Sequence, residues 1–182
     1  PLDGSKVPMA NMVVTWHPDR AERILLCAHY DTRPTADRET DPRKRRGEFL
    51  GANDGASGVA LLMQLAKAMP KFAGKYGVDF VLFDGEELVY WDPRYDDIGD
   101  YFLGSGWFAL EYKRSAAKHR YVCGVLVDMV GDADLQIYQD RLSLSYRGAN
   151  PIVHEVWKVA KELGVREFIH AAGHNITDDH KP

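Results

Sequence analysis

Cysteine is scarce in this chain. Its two cysteines, Cys27 and Cys123, are too few for a disulfide-built scaffold. Both lie in apolar, strand-like runs, where buried free thiols are the ordinary state, and the sequence leaves open whether they pair. Long apolar runs are absent too: none approaches the roughly 20 residues that cross a bilayer. No sign of charge dominates. The 23 Lys and Arg against 27 Asp and Glu leave a formal net charge of -4, which gives no general pull toward nucleic acid or an anionic membrane. The basic cluster Arg43-Lys44-Arg45-Arg46 stands among Asp37, Glu39, Asp41 and Glu48 and reads as a solvated loop. There is no internal repeat, low-complexity tract or domain linker. The chain opens on Pro1 and closes on Lys181-Pro182, so both ends are expected to be trimmed, and the lack of a visible signal peptide carries no weight.

What is present is an ordinary globular composition, 45% hydrophobic and 27% charged over 182 residues. That is enough for one domain, residues 1–182, with a sizeable core. The apolar runs Met9 to Trp16 and Arg23 to Tyr30, parted by His17-Pro18-Asp19-Arg20, read as a hairpin. Residues 33–50 form a long polar loop of the kind that often serves as a lid. Ala56 to Met69 has helical apolar spacing and is stopped by Pro70. Val78 to Phe83 and Tyr121 to Val130 read as buried strands, and Leu142 to Tyr146 as a short edge strand. Residues 88–103 read as a second loop and Ser105 to Lys113 as a helix. A last helix opens at Asn150-Pro151, Asn as cap and Pro in the first turn, and ends at Gly164. Buried strands alternating with helices argue an α/β sandwich around a mixed sheet.

Five residues able to bind metal recur at strand ends and loop turns: His29, Asp54, Glu87, Asp128 and His180. In open α/β sheets, sites gather at the carboxyl ends of the strands. Mixed imidazole and carboxylate donors suit zinc. Four of them also have a plain alternative: Asp54 as a helix cap, Asp128 as an acid bonded to local backbone, His29 as a satisfied core histidine, His180 as a residue near a chain end. Needing all four alternatives at once favours the metal site.

Glu86-Glu87 is the sharpest local signal. Adjacent residues leaving a strand point to different sides, so one carboxylate can hold metal while the other serves as general base. A solvated acidic turn is the competing reading. Asp31, two residues after His29, can accept the second ring N–H and fix its tautomer, or it is simply a turn acid before Thr32-Arg33-Pro34. Trp91 could line a substrate pocket or pack within its loop. His174 is the one rival ligand near His180.

The segments His29-Tyr30-Asp31, Gly51 to Gly58, Asp84 to Glu87, Val127-Asp128 and Asp178-Asp179-His180, in this order, resemble the zinc aminopeptidases and animal-type glutaminyl cyclases of peptidase family twenty-eight. That resemblance implies a three-layer α/β/α sandwich around a mixed, mainly parallel sheet, cut short at its C-terminus. It implies zinc, one ion or two, held by Asp54, Glu87 and His180, with His29 and Asp128 completing a second site beside Asp54. Glu86 matches the general acid/base. The implied substrates are peptide or protein N-termini, and an exported or periplasmic location is expected.

Two reactions compete within the resemblance. Aminopeptidases use two metals to cut the first peptide bond. Glutaminyl cyclases use one zinc to close an N-terminal glutamine into pyroglutamate with release of ammonia, the residue matching Asp128 assisting Glu86. Trp91-x-Pro93, Asp178-Asp179-His180 and Arg33-Pro34-Thr35-Ala36-Asp37 resemble the cyclase branch, the last its bacterial members. Family members continue past the last histidine, which leaves an inactive or purely binding protein on the same fold as a third reading.

Overall fold

The computed structural model describes residues 4–92, 96–115 and 119–181, without the side chains of 91, 92 and 96–99. It divides into two compact units, one of residues 1–130 with 179–182 and one of residues 131–178.

The first unit contains β1 (Met12–Trp16), β2 (Glu22–His29), α1 (Ala56–Ala66), β3 (Gly77–Phe83), β4 (Val89–Asp92), β5 (Asp96–Gly99), α2 (Leu103–Arg114) and β6 (Arg120–Leu126). Its main sheet runs in the order β1-β3-β2-β6. β3 pairs parallel with β2, and β2 parallel with β6, while β1 is antiparallel to β3.

The expected hairpin between the first two apolar runs does not form. β3 lies between them. Its sequence, Gly-Val-Asp-Phe-Val-Leu-Phe, is buried at six of seven positions, so the strand best able to be covered on both faces takes the inner place. β1, exposed at four of five positions, is left at the edge. Arg23 holds this arrangement open. Its guanidinium is 1% exposed, donates to the carbonyls of Trp16 and His17, and grips both Asp79 oxygens on β3 at 2.8 Å. The link after β1 therefore wraps around Arg23 instead of closing as a tight turn.

Alternation along β3 sends its apolar side chains to two opposite faces. Val78 and Phe80 pack with Ala28 and with Leu62 and Ala66 of α1. Val81 and Phe83 pack with Cys27 and with Phe108 of α2, Phe83 and Phe108 meeting edge to face at 5.7 Å. Helices thus cover both faces, and the layers are α/β/α as expected. Each fully buried large apolar side chain contributes roughly 1.5–3 kcal/mol. Gly58 lets α1 approach the sheet closely, since a Cβ there would stand 2.4 Å from the Val127 carbonyl oxygen and 2.9 Å from Ala28 Cβ. α1 stops at Ala66, and a 3-10 turn over Met69–Lys71 takes up Pro70. Cys27 and Cys123 are free thiols.

The polar stretch 88–103, expected as loop, contains the β4–β5 antiparallel ribbon. Trp91 is on β4, and its side chain falls outside the described residues. Pro93 also lies outside them.

The second unit contains β7 (Ile137–Gln139), α3 (Arg141–Ser145), α4 (Asn150–Glu162) and β8 (Phe168–Ala172), with β7 and β8 parallel. The edge strand expected over Leu142 to Tyr146 is α3 instead. Asp140 caps it, its carboxylate accepting the N–H groups of Leu142 and Ser143. In α4, Pro151 stands in the first turn, but Ala149 occupies the cap position. Asn150 instead donates its amide to the Leu144 carbonyl. Gly164, at φ +70°, follows the helix end as the sequence indicates. Among the described residues, no helix is long and apolar enough to cross a membrane.

Candidate active site

The parallel strands β2, β3 and β6 end along one edge of the sheet, with His29 level with Phe83 and Cys27 with Leu126. His29 is the last residue of β2. Glu86 and Glu87 follow β3 after the turn Asp84-Gly85, and Asp128 stands two residues beyond β6. Asp54 arrives from the loop that opens α1. The N-cap of α1 is Gly55, so Asp54 stands one residue before the cap position.

His29, Asp54 and Asp128 place donor atoms within 4.8 Å of one another. His29 Nε2 is 3.2 Å from Asp54 Oδ1 and 3.2 Å from Asp128 Oδ1. Asp128 Oδ1 also accepts the Met129 N–H at 2.7 Å, so its bond to local backbone coexists with its approach to His29. Asp31 Oδ1 lies 3.5 Å from His29 Nδ1, at the long limit of a hydrogen bond. The firmer contacts of Asp31 are with backbone: its two oxygens accept the N–H groups of Glu86 and Glu87, each at 3.0 Å.

The electrostatics call for a cation. Burial alone would push the His29 imidazole down, but the neighbouring carboxylates of Asp128, Asp31 and Asp54 drive it far above its ordinary range. Burial opposes charge on Asp31 too, yet His29 and the Glu87 and Glu86 amides hold its carboxyl below the usual range. Burial, with the charge of Asp54, pushes Glu87 up against the pull of Arg33. Three acids around one buried imidazole balance their charge with a ring proton or with a metal ion. The donor set of one imidazole and two carboxylates fits zinc.

Of the other expected ligands, Glu87 is 6% exposed. Its Oε1 accepts from Arg33 Nη1 at 3.0 Å, and its Oε2 is buried with no hydrogen-bond partner among the described residues. His180 is exposed, as is His174. Neither Glu87 nor His180 joins the His29–Asp54–Asp128 trio. Glu86 is buried at 9%.

Residues 11–182 match the sequence profile of Peptidase family M28. The chain belongs to that family. Among solved structures it is similar to the Fimbriiglobus ruber glutaminyl cyclase, with 40% identity, a TM-score of 0.85, and coverage of 94% of this chain and 59% of that one. It is likewise similar to a Zn-dependent exopeptidase from Parabacteroides distasonis, with 37% identity, a TM-score of 0.83, and coverage of 98% and 61%. Among curated proteins it is 28% identical to the Drosophila melanogaster glutaminyl-peptide cyclotransferase over 146 residues, 76% of this chain and 36% of that protein. The chain thus spans about three-fifths of the solved relatives and about a third of the curated one. The zinc-dependent relative agrees with the donor chemistry of one imidazole and two carboxylates.

The sequence marks Arg33 to Asp37 only as a segment resembling the cyclase branch, whereas the structure makes its two end residues a buried ion pair. Arg33 and Asp37 are 8% and 4% exposed, paired through a two-pronged contact at 2.7 Å for both prongs. Among so many charged neighbours in 33–50, nothing in composition separates a buried pair from solvated ones. The signal that could have drawn attention is the spacing of four between Arg33 and Asp37, directly after the His29 segment. Gly55, within the Gly51 to Gly58 segment, has a steric role that the sequence alone does not reveal. It holds φ +83°, and a Cβ there would lie 2.9 Å from the Asp31 carbonyl oxygen and 3.1 Å from His29 Cε1.

Proposed function

We propose that this chain is the metal-binding portion of a zinc-dependent enzyme acting on peptide N-termini, and that its reaction is glutaminyl cyclisation. The observation that carries this reading is the likeness to glutaminyl cyclases in both sequence and fold. The cyclase-like segments around Trp91, Asp178-Asp179-His180 and Arg33 to Asp37 support it.

In this reading Asp54, Glu87 and His180 hold zinc, which when bound polarises the glutamine side-chain carbonyl. Glu86 takes the proton from the substrate α-amine as that nitrogen closes on the side-chain carbon. The same carboxyl then returns the proton to the departing nitrogen, which leaves as ammonia. Asp128 assists that transfer. Asp31 holds Glu86 and Glu87 in register through their amides, so the two neighbouring carboxylates keep separate tasks. Incubation with a Gln-initiated peptide should release ammonia and no free amino acid. A free N-terminal residue among the products would sink this reading.

A second reading is a two-zinc aminopeptidase, in which the compact His29–Asp54–Asp128 trio would complete a second metal site. Two-metal sites hold their ions roughly 3.5–4 Å apart across shared ligands, and Asp54 would be the shared one. Two tightly held zincs per chain would support hydrolysis, and one would support cyclisation.

A further inference from the structure

Resting on the assignment of Glu87 as a zinc ligand, we propose that Arg33 is the positioning residue that presents Glu87 to the metal through a single oxygen, with Asp37 as its anchor.

Three observations converge on Arg33. First, its guanidinium is divided between two acids. Nε and Nη2 make a two-pronged contact with Asp37, at 2.7 Å each, while Nη1 donates to Glu87 Oε1 at 3.0 Å. The fork fixes the plane of the guanidinium, and the plane fixes where the third nitrogen points. Tyr101 backs the same group, its ring centroid 6.0 Å from Arg33 Cζ and its hydroxyl 3.4 Å from Nη1.

Second, all three side chains are buried, with Arg33 8%, Asp37 4% and Glu87 6% exposed. Buried ions persist only when paired and hydrogen-bonded. Asp37 offsets the Arg33 charge, so Arg33 can hold a ligand carboxylate without presenting an unbalanced cation to the metal.

Third, the two Glu87 oxygens differ. Oε1 is taken by Arg33, whereas Oε2 is buried with no hydrogen-bond partner among the described residues. A buried carboxylate oxygen without a donor is costly unless something else meets it. A carboxylate gripped on one oxygen is left with the other for a metal. Asp31 fixes the Glu87 backbone, so the residue is held at both its amide and its carboxylate.

The test compares zinc affinity, by competition with a chromophoric chelator, across the unaltered protein, Arg33→Lys, Glu87→Gln and the double variant. Lysine keeps a charge beside Asp37 but lacks the planar fork that reaches both acids. Outer-shell partners of metal ligands are typically worth about 10–100-fold in metal affinity, and Arg33→Lys should weaken zinc by that factor. The visible absorption of the cobalt(II)-loaded form should also shift as Glu87 changes its mode of coordination. In the double variant Arg33→Lys should add nothing to the loss caused by Glu87→Gln. The proposal is overturned if Glu87→Gln weakens zinc while Arg33→Lys leaves affinity and cobalt spectrum unchanged, even where Arg33→Lys lowers the melting temperature. Arg33 would then be scaffolding, and Glu87 would remain a ligand. Unchanged zinc affinity in Glu87→Gln would instead remove Glu87 as a ligand and the proposal with it.

Discussion

Asp31 Oδ2 accepts the Glu87 backbone N–H at 3.0 Å, binding the loop after β2 to the turn after β3. With its companion bond to Glu86 N–H, one carboxylate sets the register of both acids and lies beside His29. Asp31→Ala would leave two amides of a closely packed turn without acceptors. Each unsatisfied buried group costs about 1–3 kcal/mol. With two amides affected, urea unfolding of the metal-free protein should show a loss of about 2–6 kcal/mol, and Asp31→Asn, which retains one good acceptor, a smaller one. Equal midpoints for all three proteins would rule out the clamp.

Gly55 should be intolerant of a side chain. Its φ of +83° suits glycine, and a Cβ would press on the Asp31 carbonyl and the His29 ring. Backbone strain of this kind costs about 1–3 kcal/mol. Gly55→Ala should therefore lower the melting temperature and weaken zinc together. Gly148→Ala is the control, since a Cβ there meets nothing within 4 Å. Surface changes of that sort usually stay within about 0.5 kcal/mol.

The strand ends were legible because their chemistry is local. His29, Glu86, Glu87 and Asp128 each follow an apolar run, and parallel pairing brings those ends to one edge. Strand neighbours were not legible. The runs before and after His17 are adjacent in sequence, but pairing is decided by burial across the whole sheet, and the more apolar β3 took the inner place. Leu142, Leu144 and Tyr146 alternate as a strand would, yet the Asp140 cap turned that segment into a short helix. Arg33 and Asp37 look like loop charges, and only their mutual pairing makes burial tolerable.

The Arg23–Asp79 pair should set part of the acid stability. Burial pushes the Asp79 carboxyl up, but hydrogen bonds from Arg23, Tyr121 and Thr15 bring it below its ordinary value. A carboxyl depressed in the folded state stabilises fully above its unfolded pKa. That contribution is lost as pH falls through the folded value. Asp79→Asn leaves Arg23 buried without its counter-ion, at a cost of about 3–5 kcal/mol near neutrality. Chemical unfolding between neutral and acid pH should show this deficit shrinking as pH drops. A constant deficit would mean that the ionised Asp79 is not the source.

The neighbours Glu86 and Glu87 provide the most direct measurement. Zinc content and turnover of Glu86→Gln should separate: near-normal metal, with a rate loss of about 10²–10⁴-fold, the usual contribution of a general acid–base group. A Glu86→Gln protein that loses its zinc, beside a Glu87→Gln protein that keeps both zinc and activity, would contradict the division of labour proposed for this pair.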